Sequence, residues 1–349
     1  VPQRLESVHV DGVNELSLDL SLETFGDGGW YWFEMVAGKS ELALLEAFWS
    51  TKDTPAVAAG ESATIQITTM NKPSFCIDNA RILGSNPHAL KSVKEVLIVD
   101  QGSDKVSAAA GFDEVRQLLG GKLRIVDQDN LGGSGGFTRG MAEAVHNGSD
   151  FVLLLDDDVV VEPDSVERLI AFARFSKKPT IVGGHMFDLY SRTTLHTFGE
   201  VVDPYRLSWA SPDTDVEYRH DFRQRNLRQT PWMHRRVDVD FNGWWMCLIP
   251  TAVIREIGLS LPVFIKWDDA EYCLRAKESG FPTVSLPGAA LWHVSWIDKD
   301  DSLGWQSYFH ERNRLIAALI HSPFPEGGRV LRESFQNNVK HLISMQYFA

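Results

Sequence analysis

The chain has 349 residues, and 44% of them are hydrophobic, enough for a large buried core and for more than one structural unit. Its formal net charge of −13 argues against nonspecific binding to nucleic acid, and no nucleic-acid partner is expected. Three cysteines, Cys76, Cys247 and Cys273, are too few and too scattered for a disulfide framework or a CxxC metal site, so a reducing compartment is expected.

Residues 1 to about 60 alternate apolar and polar, as in "VHVDGVNELSLDLSLETF" and "GGWYWFEMV". This period predicts antiparallel strands and a small β-sandwich over 1–60, with Trp30, Tyr31, Trp32 and Phe33 as its aromatic mass. The style changes near residue 62. "ATIQITTMNKP", "KEVLIVDQG", "KLRIVDQDNLGGSGG" and "FVLLLDDD" read as four buried strands with polar or glycine-rich ends. "SFCIDNARILGSN", "FTRGMAEAVHNG" and "EPDSVERLIAFARFS" read as helices. Short buried strands alternating with helices predict an α/β fold, a mostly parallel sheet flanked by helices. Ligands bind such sheets beyond the carboxyl ends of the strands, so the chemistry is expected at 68–72, 100–102, 127–136 and 156–158. Further strands are expected within 180–250 and a helix after "WDD". The expected units are 1–60, a catalytic α/β domain over 61–305, and a helical tail over 306–349.

Three aspartates, Asp156, Asp157 and Asp158, stand where a hydrophobic strand ends. On an extended backbone Asp156 and Asp158 face one way and Asp157 the other. Two facing carboxylates repel unless a cation sits between them, and hard oxygen ligands suit Mg2+ or Mn2+ with a substrate phosphate. "DNLGGSGGFTRG" places Gly132, Gly133 and Gly135 before a helix, where backbone approaches a phosphate or ribose closely. It is neither GxGxxG nor a Walker loop. In "KWDDAEY", Asp268 and Asp269 raise one another's pKa, which suits a general base, though acids at a helix start also serve as caps. His293 closes a strand-like segment and is either a packed core residue or an imidazole ligand for the same metal. Trp244, Trp245, Trp267, Trp292, Trp296 and Trp305 crowd this half, and indole faces beside two acidic clusters favour a sugar groove.

Taken together these segments resemble the inverting glycosyltransferases of family 2, which have the GT-A fold. They are more similar still to the bacterial galactofuranosyltransferases that polymerise cell-wall galactan. "NLGGSGGFTRGM", "DDDVVVEPDSV", "GEVVD", "VDFNGWW", "FIKWDDAEYCLRA", "PTVSLPGAALWH" and "YFHERNRL" carry the resemblance, in that order. It implies UDP-galactofuranose as donor and a lipid-linked galactan as acceptor in arabinogalactan synthesis. It implies that Asp156, Asp158 and His293 hold a divalent Mn2+ or Mg2+. It makes Asp269 the catalytic base, with Asp268 helping to hold the acceptor. Thr69, Lys72, Asp100, Asn130 and the glycine loop become nucleotide-side contacts, with Asp157 holding the loop or the nucleotide. His196, Glu200, Trp244, Trp245, Trp267 and His310 become sugar and acceptor contacts.

Two departures stand out. The family usually has arginine where Lys72 stands, and lysine keeps the charge but loses the bidentate fork. The family's polymerases also continue beyond the position of Ala349. No apolar run reaches the ~20 residues of a membrane span, and no signal peptide is apparent. A cytoplasmic protein at the inner face of the membrane is therefore expected, with peripheral membrane contact and self-association both compatible with the resemblance. Rival readings are another UDP-sugar transferase of family 2, a haloacid-dehalogenase-type phosphatase with Asp156 as nucleophile, and a carbohydrate-binding protein without catalysis.

Overall fold

The computed structural model describes residues 3–60, 62–212, 219–295 and 304–347. Strands β1 (Ala63–Thr69), β2 (Val93–Asp100), β3 (Leu123–Asp127) and β4 (Phe151–Asp156) pair in parallel in the order β3-β2-β1-β4. Every residue of β1 is buried, because helices cover both faces of the sheet. Alternation is still visible in the packing. Leu153 and Leu155 of β4 enter one core, and Val152 and Leu154 enter the other. Truncating one such fully buried leucine to alanine costs roughly 2–5 kcal/mol.

The connecting helices are α1 (Pro73–Gly84), α2 (Phe112–Leu119) and α3 (Gly132–His146), and α4 (Pro163–Phe175) follows β4. Proline at the first turn of α1 and of α4 presets the helical φ and lacks an N–H that would have had no partner. The second half of the sheet is mixed. β11 (Met246–Pro250) runs antiparallel to β4 and to β6 (Ile181–Asp188), and β12 (Thr283–His293) runs parallel to β6. β10 (Val237–Val239) and β5 (Val159–Val161) pair with β12, and β7 (Leu195–Thr197) pairs with β6. A separate hairpin joins β8 (Val201–Asp203) to β9 (Ser208–Ala210). α5 (Thr251–Ile257) and α6 (Asp268–Glu278) pack on the sheet, and α7 (Gln306–His321) and α8 (Val330–Ile343) form the helical tail.

Register aligns the strand ends that carry the chemistry. Thr69 pairs with Asp100, Asp100 with Asp127, and Thr68 with Asp156. The mixed α/β architecture and the helical tail agree with the sequence reading. No helix among the described residues is long and apolar enough to cross a membrane.

Two expectations are corrected. The β-sandwich over 1–60 does not form: residues 3–60 contain no strand, only a 3-10 turn at Glu23–Phe25. Alternation marks a two-faced strand, but such a strand needs paired neighbours and a second apolar layer. Here Val13 and Leu45 stand exposed. The aromatic run docks instead on the segment 226–235. Trp30 Nε1 donates to the Met233 carbonyl at 3.0 Å, and the Arg228 guanidinium lies 4.6 Å from the centre of the Trp32 ring. The glycine loop is also corrected, because Gly132 to Gly136 belong to the first turns of α3 rather than to a loop before it.

Candidate active site

Strand β4 ends at Asp156, and the chain turns through Asp157 and Asp158 into β5. The turn separates the three acids as alternation predicts. Asp156, Asp158 and His293, the last residue of β12, bring ligand atoms within 4.8 Å of one another. Asp157 turns to the other side. Its Oδ2 accepts from Thr69 Oγ1 at 2.8 Å, and its carbonyl accepts from Asn79 Nδ2 at 3.0 Å. Burial holds Asp157 above the usual carboxylate range, against the pull of Lys72 and Thr69. Lys72 Nζ lies 2.8 Å from Asp158 Oδ2 and 3.5 Å from Asp157 Oδ1, so one ammonium ties both acids.

The donor set fits a divalent cation. His293 Nδ1 donates to the Val294 carbonyl at 2.7 Å, which leaves the lone pair of a neutral imidazole on Nε2. Nε2 lies 3.0 Å from Asp158 Oδ1, so either one proton or one shared cation can sit between imidazole and carboxylate. Burial pushes Asp158 up, but His293 and Lys72 override it and hold the carboxyl well below its ordinary value.

The start of α3 lies beside this group. Asn130 Oδ1 accepts from the Gly132 N–H at 3.0 Å and sets the turn into the helix. Gly132 has φ +73°, and a Cβ there would stand 2.1 Å from the Phe264 carbonyl oxygen. At Gly136 a Cβ would meet Thr68 Cγ2 at 2.2 Å, so glycine lets the helix lie directly on β1. Gly135 is crowded by Leu131, while Gly133 is open, its nearest polar neighbour being Asp268 Oδ2, 3.9 Å from where a Cβ would stand. Asp100 sits at the same edge, with Oδ1 accepting from Gly102 N–H and Oδ2 from Val106 N–H. Its geometry is that of a loop organiser.

The second acidic pair opens α6 from the opposite side. Asp268 is buried and faces the α3 start, whereas Asp269 is half-buried and its Oδ1 accepts from the Ala270 N–H. The N-cap residue, Trp267, makes no side-chain cap bond, and Asp269 serves the helix start as well by accepting a first-turn N–H. Burial raises both carboxyls, and Asp269 raises Asp268 further. Glu200 is pushed up to about 8 by burial and then by Asp269. Three acids with raised pKa values thus gather beside the triad.

The loop before α6 is unusual. Phe264, Lys266 and Trp267 all have positive φ, between 65° and 75°. Left-handed backbone is costly for residues with bulky side chains. Asn313 of α7 clamps the loop: its Nδ2 lies 2.7 Å from the Ile265 carbonyl, 2.8 Å from that of Lys266 and 3.1 Å from that of Val263. The sequence reading missed Asn313, and nothing in "HERNR" distinguishes a clamp from a surface amide. It also missed Gln101, which accepts from Leu131 N–H and donates to the Gly132 carbonyl, fixing the α3 start.

The expected sugar contacts divide. Trp267 and His310 share a cavity wall with Trp209. Trp244 and Trp245 are buried in the core. Trp244 packs edge-on against Phe137 and Tyr272, and Trp245 Nε1 donates to the Gly184 carbonyl at 3.4 Å. His196 is buried in β7. Trp292 donates to the Arg192 carbonyl, Trp305 is exposed, and Trp296 lies outside the described residues.

Residues 64–318 match the family described as "Glycosyltransferase like family 2". The galactofuranosyltransferase GlfT2 of Mycolicibacterium smegmatis is 43% identical over 345 residues, covering 97% of this chain and 52% of the relative. GlfT2 of Mycobacterium tuberculosis is 42% identical over 337 residues, covering 94% and 52%. The chain therefore spans about half the length of the curated relatives it matches. Among solved structures, that of GalNAc-T7 with UDP, GalNAc and Mn2+ aligns at TM-score 0.49 and 15% identity over 67% of this chain and 43% of that one.

Proposed function

This chain belongs to the glycosyltransferase-like family 2, and from that premise we propose that it is an inverting, divalent-metal-dependent galactofuranosyltransferase. In this reading it moves galactofuranose from UDP-galactofuranose to a lipid-linked galactan of the cell wall. Family membership implies a nucleotide-sugar donor and a glycan acceptor. The finer donor assignment is supported by the name borne by the two 42–43% identical relatives. The observation that carries the reading is the meeting of two acidic groups at one sheet edge: Asp156, Asp158 and His293 on the strand side, and Asp268 and Asp269 at the start of α6.

Asp156, Asp158 and His293 would hold Mn2+ or Mg2+, whose charge offsets the charge developing on the UDP leaving group. Lys72 and the Gly133 N–H at the α3 start would face the diphosphate, while Gly132 and Gly135, whose N–H groups bond Asn130 Oδ1 and the Leu131 carbonyl, shape the turn that presents it. Thr69 and Asn130 complete the nucleotide side, while Asp100 and Asp157 hold its loops. Asp269, raised toward neutrality and more open than Asp268, takes the proton from the acceptor hydroxyl. That hydroxyl attacks the anomeric carbon opposite UDP, and the configuration inverts. Asp268, facing Gly133, orients the sugar between donor and acceptor. Glu200 keeps its proton at neutral pH and donates a hydrogen bond to the acceptor side. His196, Trp267 and His310 border the acceptor, and Trp244 supports that wall from the core it shares with Trp267, whereas Trp245 lies in the other core.

Membrane contact is assigned to α8. Its exposed Leu331, Phe335 and Leu342 form one apolar stripe, with Arg332 at its flank available to anionic headgroups. Self-association belongs to the same proposal. The test is donor choice. The chain is incubated with a synthetic galactofuranose acceptor and either UDP-galactofuranose, UDP-galactopyranose or UDP-glucose. Extension by the first alone supports the reading, and equal extension by UDP-glucose overturns the donor assignment.

A further inference from the structure

We propose that Ser134 is a positioning residue for the transfer reaction: it fastens the donor-binding turn of α3 to the loop that aims Asp268 and Asp269, so that an occupied donor site sets the catalytic acids. The inference rests on the nucleotide-sugar reading above, with Asp269 as the base.

Ser134 is fully buried in the first turn of α3, and both of its polar groups turn to the same loop. Its N–H donates to the Phe264 carbonyl at 3.0 Å, and its hydroxyl donates to the Leu261 carbonyl at 2.6 Å. The first N–H groups of a helix lack intrahelical acceptors, so each needs another partner. The Gly132 N–H takes Asn130 Oδ1, and the Gly135 N–H reaches back to the Leu131 carbonyl. The Gly133 N–H has no partner among the described residues and is the one left for an anion. The anchor of the donor and the anchor of the loop are therefore adjacent residues of one turn.

The loop needs that anchor. The Ile265 N–H donates to the Val263 carbonyl at 3.1 Å, which closes a three-residue turn on Phe264. Phe264 has φ +75°, the value of the rare and strained γ-turn. Lys266 and Trp267 follow at +65° and +69°, and Asp268 opens α6 directly after them. The carbonyl that the Ser134 N–H holds is that of Phe264 itself. The Val263 N–H donates to the Leu261 carbonyl at 2.8 Å, so the Ser134 hydroxyl ties the preceding turn as well. Asn313 holds the loop from α7 through other carbonyls, those of Val263, Ile265 and Lys266. Ser134 holds it from the donor side.

The composition of the turn makes the coupling directional. Glycines stand on both sides of Ser134, at 132, 133, 135 and 136. Glycine loses more backbone freedom on ordering than any other residue, so this turn is weakly set by its own sequence. A diphosphate on the Gly133 N–H orders the turn, and the two Ser134 bonds carry that order into the loop. Binding that removes freedom from a shared segment leaves less to be ordered in the next step, which is positive coupling without a change of shape. The distance to be covered is short: a Cβ at Gly133 would stand 3.9 Å from Asp268 Oδ2.

The test is hydrogen exchange on the full chain, with and without UDP and Mn2+, followed in segments 130–140 and 260–271 of the wild type and of Ser134→Ala. Alanine is smaller than serine and favours helix, so the variant keeps the fold. In the wild type UDP should slow exchange in both segments, by at least ~5-fold in the loop. In Ser134→Ala the slowing at 130–140 should remain, while the slowing at 260–271 shrinks by at least ~3-fold and kcat drops roughly 10-fold, as the loss of one buried hydrogen bond implies. A serine that only supports the fold would, once removed, speed loop exchange by the same factor with and without UDP, and that result overturns the proposal. UDP protection confined to 130–140 in the wild type also overturns it and leaves the donor reading standing. UDP protection in neither segment overturns the donor reading, and the coupling with it.

Discussion

Replacing Asn313 with alanine removes the clamp on the loop that aims the catalytic acids. The wild-type amide holds the carbonyls of Ile265 and Lys266 at 2.7 and 2.8 Å and reaches that of Val263 at 3.1 Å. Two lost hydrogen bonds at about 1 kcal/mol each, plus carbonyls left bare at roughly 1–3 kcal/mol in all, predict a stability loss of about 3–5 kcal/mol. The loop also holds Phe264, Lys266 and Trp267 in left-handed backbone, at a cost of order 1–3 kcal/mol each. Freed from Asn313, it relaxes toward ordinary φ values and carries Asp268 and Asp269 with it. A displacement of about 1 Å at the chemistry is worth about 10²-fold in rate. The assay pairs UDP calorimetry with transfer kinetics on folded Asn313→Ala and Asn313→Asp. UDP affinity should fall far less than kcat, because Asn313 bonds none of the triad residues, while kcat falls about 100-fold. Asn313→Asp, which keeps the shape but not the two donors, should lose as much. Wild-type kcat and stability in Asn313→Ala would refute the clamp.

Other consequences follow from single groups. Asp158→Asn or His293→Ala should weaken Mn2+ binding, read by calorimetry without donor, by more than the ~10–100-fold that losing an outer partner costs. Chelation by EDTA should silence transfer, and added Mn2+ or Mg2+ should restore it. Glu200 titrates near 8 in the fold against 4.5 for an ordinary glutamate, so the folded chain holds a proton that the unfolded chain releases. Stability should therefore fall as pH rises from about 4.5 to 8, and Glu200→Gln should flatten that part of a Tm–pH profile. An unchanged slope in the variant would remove Glu200 from the buried acidic group.

Strand ends were legible because burial on both faces leaves continuous apolar runs, and the polar residue that stops each run marks the catalytic edge. The split of Asp156 and Asp158 from Asp157 was legible for the same geometric reason, since alternation survives into the turn. The role of Asp157 was not, because it depends on Thr69 and Lys72, which reach it only through the β1–β4 pairing. Period-2 alternation in residues 3–60 suggested strands but cannot supply their partners, and the segment docks through Trp30 and Trp32 instead. The four glycines of the 132–136 segment suggested a loop because glycine disfavours helix, yet close packing on Thr68 and Phe264 admits nothing larger at Gly132 and Gly136. Asn313 and Gln101 were invisible for a common reason: each acts on the backbone of a distant loop, and no sequence pattern records which carbonyl an amide will meet.

The most direct measurement is the mass and anomeric configuration of a galactofuranose acceptor after incubation with UDP-galactofuranose and Mn2+, for the wild-type chain and for Asp269→Asn. The account predicts hexose additions with inverted configuration for the wild type, and none for Asp269→Asn although that variant still binds UDP. Retained configuration, or near-normal extension by Asp269→Asn, would contradict it.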